Sequence, residues 1–300
     1  MVAVYRLIVE DFMWEQVGAP IYGSTHKAHF GASLSFSDDS TKLAVGAPGS
    51  PGLGGGYAMV YYRNDDGNWT SSGDLMPEND WDLSVYSVCL SGDGNNIAVG
   101  GIPDSEEGSV AKVFQWQGDE WRERGSGIHH AIGDTSYLAE LSADGNNIVV
   151  SNYFIKDVVS NSGIGLDVRA YTWSEAADDW EPRGSNIHEL FDSEKSGYFI
   201  NLSRDASRIA MGDPGSRFRD MRATGHVQVL EFDGTDWVKI GDNIWGEAAG
   251  DQFGHSISIS GNGERLAVGA PYNRALGEER GRVTIYEITD PDTSELADGK

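Results

Sequence analysis

The sequence predicts an all-β chain built from five copies of one four-stranded unit. Three observations carry this. A turn recurs as "SDDSTK" at Ser37, "SGDGNN" at Ser91, "SADGNN" at Ser142, "SRDASR" at Ser203 and "SGNGER" at Ser260. Tryptophans 14, 69, 121, 180 and 237 each open a W-x-x-x-G stretch, and both landmarks keep a period of about 55 residues. Phe30–Pro48 reads "FGASLSFSDDSTKLAVGAP", and Phe253–Pro271 repeats it as "FGHSISISGNGERLAVGAP".

Each copy holds four short runs. The first alternates apolar and polar residues: "ASLSFS", "YSVCLS", "YLAELS", "YFINLS", "HSISIS". Such alternation marks a half-buried strand. The second is nearly continuous apolar sequence, as in "KLAVGAP" and "RIAMGDP", which predicts a strand covered on both faces. The third is β-branched and aromatic, as in "YAMVYY" and "HVQVLEF", and the fourth carries the tryptophan. No segment sustains a 3.6-residue apolar period. Four antiparallel strands repeated at this spacing describe the blade of a β-propeller. Five blades are expected in one domain over residues 1–290, followed by an acidic flexible tail at 291–300.

The chain starts with a third-type and a fourth-type run and finishes with first-, second- and third-type runs. The Trp14 strand is therefore expected to complete the last blade and close the ring, which would protect its edges. Third-type runs number six, one more than five blades need. Arg282–Ile288 is expected inside the last blade, with Val2–Leu7 at its margin.

Composition narrows the function classes. The net charge is −25, so the surface repels nucleic acid and anionic lipid at long range. Cys89 is the only cysteine, which removes a disulfide framework and a cysteine-rich metal site. No apolar run is long enough for a membrane helix. The N-terminal "MVAVYRLIVEDFMW" reads as a strand rather than a signal peptide, which leaves a cytosolic protein or a domain cut from a longer precursor.

The residues "FG", an alternating strand, a short turn, "LAVGAP" and "GxVxxY" resemble the FG-GAP repeat of integrin-α-type propellers. The "S-x-D-G" turn also resembles the looser WD40-like repeats of surface proteins. Phe30, Gly31, Ala47 and Pro48 match in the first repeat, and Phe253, Gly254, Ala270 and Pro271 in the last; the middle copies have lost the FG pair. The resemblance implies an extracellular or cell-surface adhesion or ligand-binding module, often with calcium in blade loops. This sequence departs there. "SGDGNN" and "SADGNN" offer one carboxylate each, whereas calcium takes six or more oxygens. No cofactor or metal ligand set is expected, and an acidic loop such as Pro103–Gly108 is where calcium would bind weakly.

The first strand lies nearest the axis of a propeller. Aligning the copies gives a polar column, Ser35, Cys89, Glu140, Asn201 and Ser258, which is expected to line the channel. The segments entering these strands bring Trp81, Tyr86, Asp134, Tyr137, Tyr198, Asp251 and His255 to one rim. Aromatic rings beside carboxylates suit a glycan or a peptide. Glu140 and Asn201 in the column, with those rim residues, form the candidate binding set.

Signs of catalysis are weak. The sequence holds no HExxH, GxSxG or Walker-type loop. The column carries one carboxylate, and a glycosidase needs two. The leading expectation is a non-catalytic module that binds a protein or glycan; the alternative is a carbohydrate-active enzyme or lectin-like protein with its site at the channel mouth. Of two sequons, "NWT" at Asn68 lies in a polar turn and "NLS" at Asn201 inside an inner strand.

Overall fold

The structure is a computed structural model. It describes residues 1–24, 26–49, 56–74, 83–103, 110–129, 135–155, 164–187, 199–218, 221–275, 277 and 280–289. Every named element among the described residues is a strand. An N-terminal hairpin pairs β1 (Tyr5–Ile8) with β2 (Met13–Gln16). Five further antiparallel sheets follow in chain order. The first is β3 (Ser33–Phe36), β4 (Lys42–Ala47), β5 (Tyr57–Arg63) and β6 (Trp69–Asp74). The second is β7 (Leu83–Leu90), β8 (Asn96–Pro103), β9 (Val110–Trp116) and β10 (Trp121–Glu123), with β11 (Ile128–His129) also on β9. The third is β12 (Thr135–Leu141), β13 (Asn147–Ile155), β14 (Ile164–Ser174) and β15 (Asp179–Pro182). The fourth is β16 (Phe199–Leu202), β17 (Arg208–Asp213), β18 (His226–Phe232) and β19 (Trp237–Trp245). The last has three strands: β20 (Ser256–Ile259), β21 (Arg265–Ala270) and β22 (Arg282–Glu287).

The four strand types therefore occur in the expected order. Arg282–Ile288 supplies β22, paired along β21. The Trp14 strand pairs with β1, in register from Tyr5↔Gln16 to Ile8↔Met13. Val2 bridges to Ile21 and is buried with Leu43, Val45 and Tyr61. The outer face of β22 leaves Val283 and Ile285 70% or more exposed.

Contacts divide the chain into two units, Met1–Phe154 with Val168–Pro182, and Ile155–Asp167 with Arg183–Lys300. In the first unit, neighbouring sheets pack through their apolar second strands. Ala44, Val60, Leu90, Ile97, Phe114 and Trp121 form one core cluster; Ala98, Leu141, Ile148 and Trp180 belong to the next. In the second unit Ala210, Val227, Phe253, Leu266 and Val268 do the same. Leu43, Ile97, Ile148, Ile209 and Leu266 hold one position of the second strand in all five sheets and are 0–1% exposed. Burial of each is worth roughly 2 kcal/mol.

The recurrence of Phe30–Pro48 at Phe253–Pro271 has a backbone reason. In the first copy Gly31 N–H donates to the Gly46 carbonyl at 3.0 Å, and in the last Gly254 N–H donates to Gly269 at 3.0 Å. The glycine of FG thus closes onto the glycine of GAP. Gly254 holds φ +88°, a left-handed conformation that favours glycine. Its carbonyl also sits where a side chain at Gly212 would clash, 2.2 Å from an added Cβ.

Candidate functional site

The recurring turn is built one way five times. Its serine hydroxyl donates to the side chain two residues on: Asp39 at 2.7 Å, Asp93 at 2.7 Å, Asp144 at 2.5 Å, Asp205 at 2.6 Å and Asn262 at 2.8 Å. The same serine oxygen accepts the N–H that starts the second strand, at Lys42, Asn96, Asn147, Arg208 and Arg265. These bonds set the carboxyls below their ordinary value. For Asp39 the Ser37 hydroxyl is the largest cause. For Asp93, Asp144 and Asp205 burial pushes upward, and the serine and backbone donors outweigh it. The carboxylates are spent on the turn itself. Among the described residues no three His, Cys, Asp or Glu side chains converge as metal ligands.

The polar column on the first strands staples one sheet to the next. Ser35 Oγ accepts the Leu90 N–H at 2.9 Å. Cys89 Sγ accepts the Leu141 N–H at 3.3 Å and lies 3.7 Å from Glu140 Oε2. In the second unit Asn201 Oδ1 accepts the Ile259 N–H at 2.7 Å. Each of these three column residues thus receives the N–H just after the matching column residue of the following repeat. Sequence alignment found the column; the direction of its bonds was not legible from one repeat alone.

Of the rim residues, Tyr86, Asp251 and His255 have described side chains. Tyr86 on β7 is 41% exposed. His255, at the entrance to β20, is exposed and its ring lies 5.1 Å from Phe199 on β16. Asp251 is 2% exposed; its carboxylate accepts the Ala248 N–H at 3.0 Å and the Asn273 amide at 2.9 Å. That carboxylate therefore holds a loop rather than facing solvent. Tyr137 contributes backbone to β12. Trp81, Asp134 and Tyr198 lie outside the described residues, as do the 104–109 loop and the tail. Asn68, the first sequon residue, is exposed, with its amide oxygen 3.3 Å from the Ala19 N–H.

A buried polar group escaped the sequence reading. His226, 3% exposed, has Nδ1 2.7 Å from Ser216 Oγ and 3.7 Å from the Asp213 carboxylate, and its ring packs on Trp245 at 4.7 Å. Serine and aspartate meet the same ring nitrogen, whereas a Ser-His-Asp triad needs them on opposite ones. Ser216 is also 1% exposed. The signal was available: His226 and Gln228 alternate with apolar residues at the start of the third strand "HVQVLEF".

The tryptophans link repeats at the outer strands. Trp69 Nε1 donates to the Val17 carbonyl at 3.0 Å, Trp121 to Ser72 Oγ at 3.1 Å, Trp180 to the Arg124 carbonyl at 2.9 Å and Trp237 to the Arg183 carbonyl at 2.9 Å. Every acceptor lies three residues after the preceding tryptophan of the series. Where the motif reads R-G-S, a further pair forms. Ser126 N–H and Oγ donate to Asp179 at 2.8 and 2.9 Å, and Ser185 does the same to Asp236.

Residues 246–286 match the FG-GAP repeat. These residues cover the second of the two FG-GAP sequences, the Gly254–Gly269 closure and most of the last sheet. No curated protein matches the chain. Solved structures do. The periplasmic gluconolactonase PpgL of Pseudomonas aeruginosa is 16% identical, with TM-score 0.61, over 97% of this chain and 76% of that one. An oligogalacturonate lyase from Vibrio parahaemolyticus is 12% identical, with TM-score 0.58, over 95% and 72%. Hydrazine synthase from Kuenenia stuttgartiensis is 14% identical, with TM-score 0.56, over 99% and 74%. These likenesses show the fold, a β-propeller of successive antiparallel sheets.

Proposed function

We propose that the chain is a non-catalytic β-propeller module that binds a protein or glycan through loops at the mouths of its first strands. It works outside the cytoplasm or within a larger assembly. The observation that carries this is the use made of the polar column: Ser35, Cys89 and Asn201 are committed to backbone bonds between repeats, while Tyr86, at the bulge within β7, and His255, just before β20, stand exposed. A glycosidase needs two convergent carboxylates of contrasting pKa. Asp251, the described rim carboxylate, is tied to Ala248 and Asn273. A periplasmic relative in fold and the FG-GAP match favour the location.

The same proposal takes five blades as the whole ring, with the Trp14 strand as the outer strand of the last. Two features support it. The last sheet has three strands, and the Trp14 strand has the motif of a fourth strand without a four-stranded sheet of its own. Calcium enters this reading only as a weak ligand of acidic loops.

The test uses the intact protein as bait at about 0.3 M salt, where long-range charge attraction is screened. A stoichiometric partner retained by the native protein and lost by Tyr86→Ala or His255→Ala supports the reading. The second reading, a carbohydrate-active enzyme or lectin, draws on the gluconolactonase and oligogalacturonate lyase named among the structural relatives. Turnover of an acidic or lactone sugar that Glu140→Gln abolishes would establish it and overturn the first.

A further inference from the structure

The outer tryptophans differ in what covers their rings. Arg124 stands three residues after Trp121. Its guanidinium carbon lies 4.4 Å from the centre of Trp173 and 5.6 Å from Trp180. Its nitrogens donate to the Gly145 carbonyl at 2.7 Å and the Asn146 amide oxygen at 2.8 Å. In the second unit Arg183, three residues after Trp180, lies 4.2 Å from Phe232 and 5.5 Å from Trp237. The fold thus shows twice which group its paired rings take: a guanidinium laid over an aromatic face.

One repeat earlier the matching position is Ser72. The matching rings are Trp116 and Trp121, 5.4 Å apart, the same separation as Trp173 and Trp180. The matching acceptors, the Gly94 carbonyl and the Asn95 amide oxygen, go to Lys42 Nζ at 3.2 and 2.6 Å. Ser72 Oγ ends on the Trp121 indole and the Val60 carbonyl. Between these groups lies a cleft of about 410 Å³ lined by Tyr62, Ser71, Trp116, Asp119 and Trp121, among others. We propose that this cleft binds an arginine side chain carried by a basic segment of a partner protein.

Charge and shape agree. Tyr62 and Asp119 are exposed and offer a third ring and a carboxylate to an arriving guanidinium. The net charge of −25 concentrates basic segments at the surface. Lys42 does not fill the role. Its ammonium is held by three oxygens, and its charge acts on Asp39 and Asp93. A planar guanidinium stacks on indole where a hydrated ammonium does not, so arginine is the chemistry selected. The site lies on third and fourth strands. It rests on the reading of the chain as a binding module but uses none of the residues at the strand mouths.

The test is a titration of the intact protein with acetyl-Gly-Arg-Gly amide, its lysine counterpart and its citrulline counterpart. The readout is the indole N–H resonances of Trp116 and Trp121, assigned through Trp116→Phe and Trp121→Phe. Saturable shifts are expected with the arginine peptide, at least tenfold weaker with the other two. Ser72→Arg should fill the cleft from within the chain, as Arg124 fills its own, and weaken the peptide at least tenfold; Ser72→Ala should keep affinity within twofold. Should Ser72→Arg fail to fold, Asp119→Asn and Tyr62→Ala, both at exposed positions, should each weaken the arginine peptide at least threefold. No saturable shift, equal binding of citrulline or lysine, or full affinity in Ser72→Arg or in both surface variants overturns the proposal. Arginine shifts that survive Tyr86→Ala and His255→Ala separate this site from the strand-mouth reading, so either can fail alone.

Discussion

The Arg124 guanidinium lies 4.4 Å from the ring centre of Trp173 while donating to the Asn146 amide. One side chain therefore joins the outer tryptophan pair of the third sheet to that sheet's recurring turn. Arg124→Ala removes the ring contact and leaves the Gly145 carbonyl and Asn146 side chain short of a donor. The expected loss is about 2 kcal/mol. Arg124→Lys keeps the charge but not the planar fork and should recover less than half of that. Urea unfolding of the three proteins measures both values.

The indole ladder predicts a second effect. Trp180 donates from Nε1 to the Arg124 carbonyl, and its side chain is otherwise core, 8% exposed. Trp180→Phe keeps a ring and loses the donor. It should cost about 2 kcal/mol, the sum of a lost hydrogen bond and a small cavity. Trp14 is 67% exposed, yet with its strand completing the last blade as proposed the same change should cost about 1–2 kcal/mol, and a loss within about 0.5 kcal/mol would count against closure. A loss at Trp14 equal to that at Trp180 would support ring closure by the N-terminal strand.

Much of this was legible in the sequence because it is local. The turn repeats its serine, its carboxylate and its glycine within six residues, and strand alternation shows over a similar span. The residues that join one repeat to the next were harder. Ser35, Cys89 and Asn201 aligned as a polar column, but their bond to the N–H of the following strand depends on how sheets stack. Asp251 was placed at the rim by its position before a first strand. The chain from Gly246 to Gly254 instead turns it inward onto Asn273. A carboxylate's place in sequence says nothing about which backbone donors will surround it.

Acid should unfold the protein through its turns. The carboxyls of Asp39, Asp93, Asp144, Asp179 and Asp205 are all held below the ordinary aspartate value in the folded state. A folded value below the unfolded one adds stability that is complete above the unfolded pKa of about 4 and is lost as pH falls through the folded values. Repulsion among the remaining carboxylates acts in the opposite sense, so Tm should rise slightly from pH 7 to 5 and then fall below about pH 4. Asp93→Asn with Asp144→Asn should lower Tm at pH 7 and flatten the acid limb. A Tm that keeps rising down to pH 3 would contradict the assignment.

Cys89 and Glu140 separate a structural column from a ligand site. The thiol receives the Leu141 N–H, so Cys89→Val leaves a buried donor without its acceptor and should cost about 1–2 kcal/mol. Cys89→Ser can accept the same N–H and should recover most of that loss. Glu140 meets the sulfur at 3.7 Å, a weak contact, and it is partly exposed. Glutamine keeps the size and shape of the side chain, so Glu140→Gln should change stability by less than about 0.5 kcal/mol and leave partner binding within twofold. If the glutamine variant keeps its Tm but loses its partner, Glu140 is a ligand group and the first strands form a site. If both quantities hold while Cys89→Val weakens the fold, the column's work is to join the sheets, and recognition belongs to exposed side chains such as Tyr86 and His255.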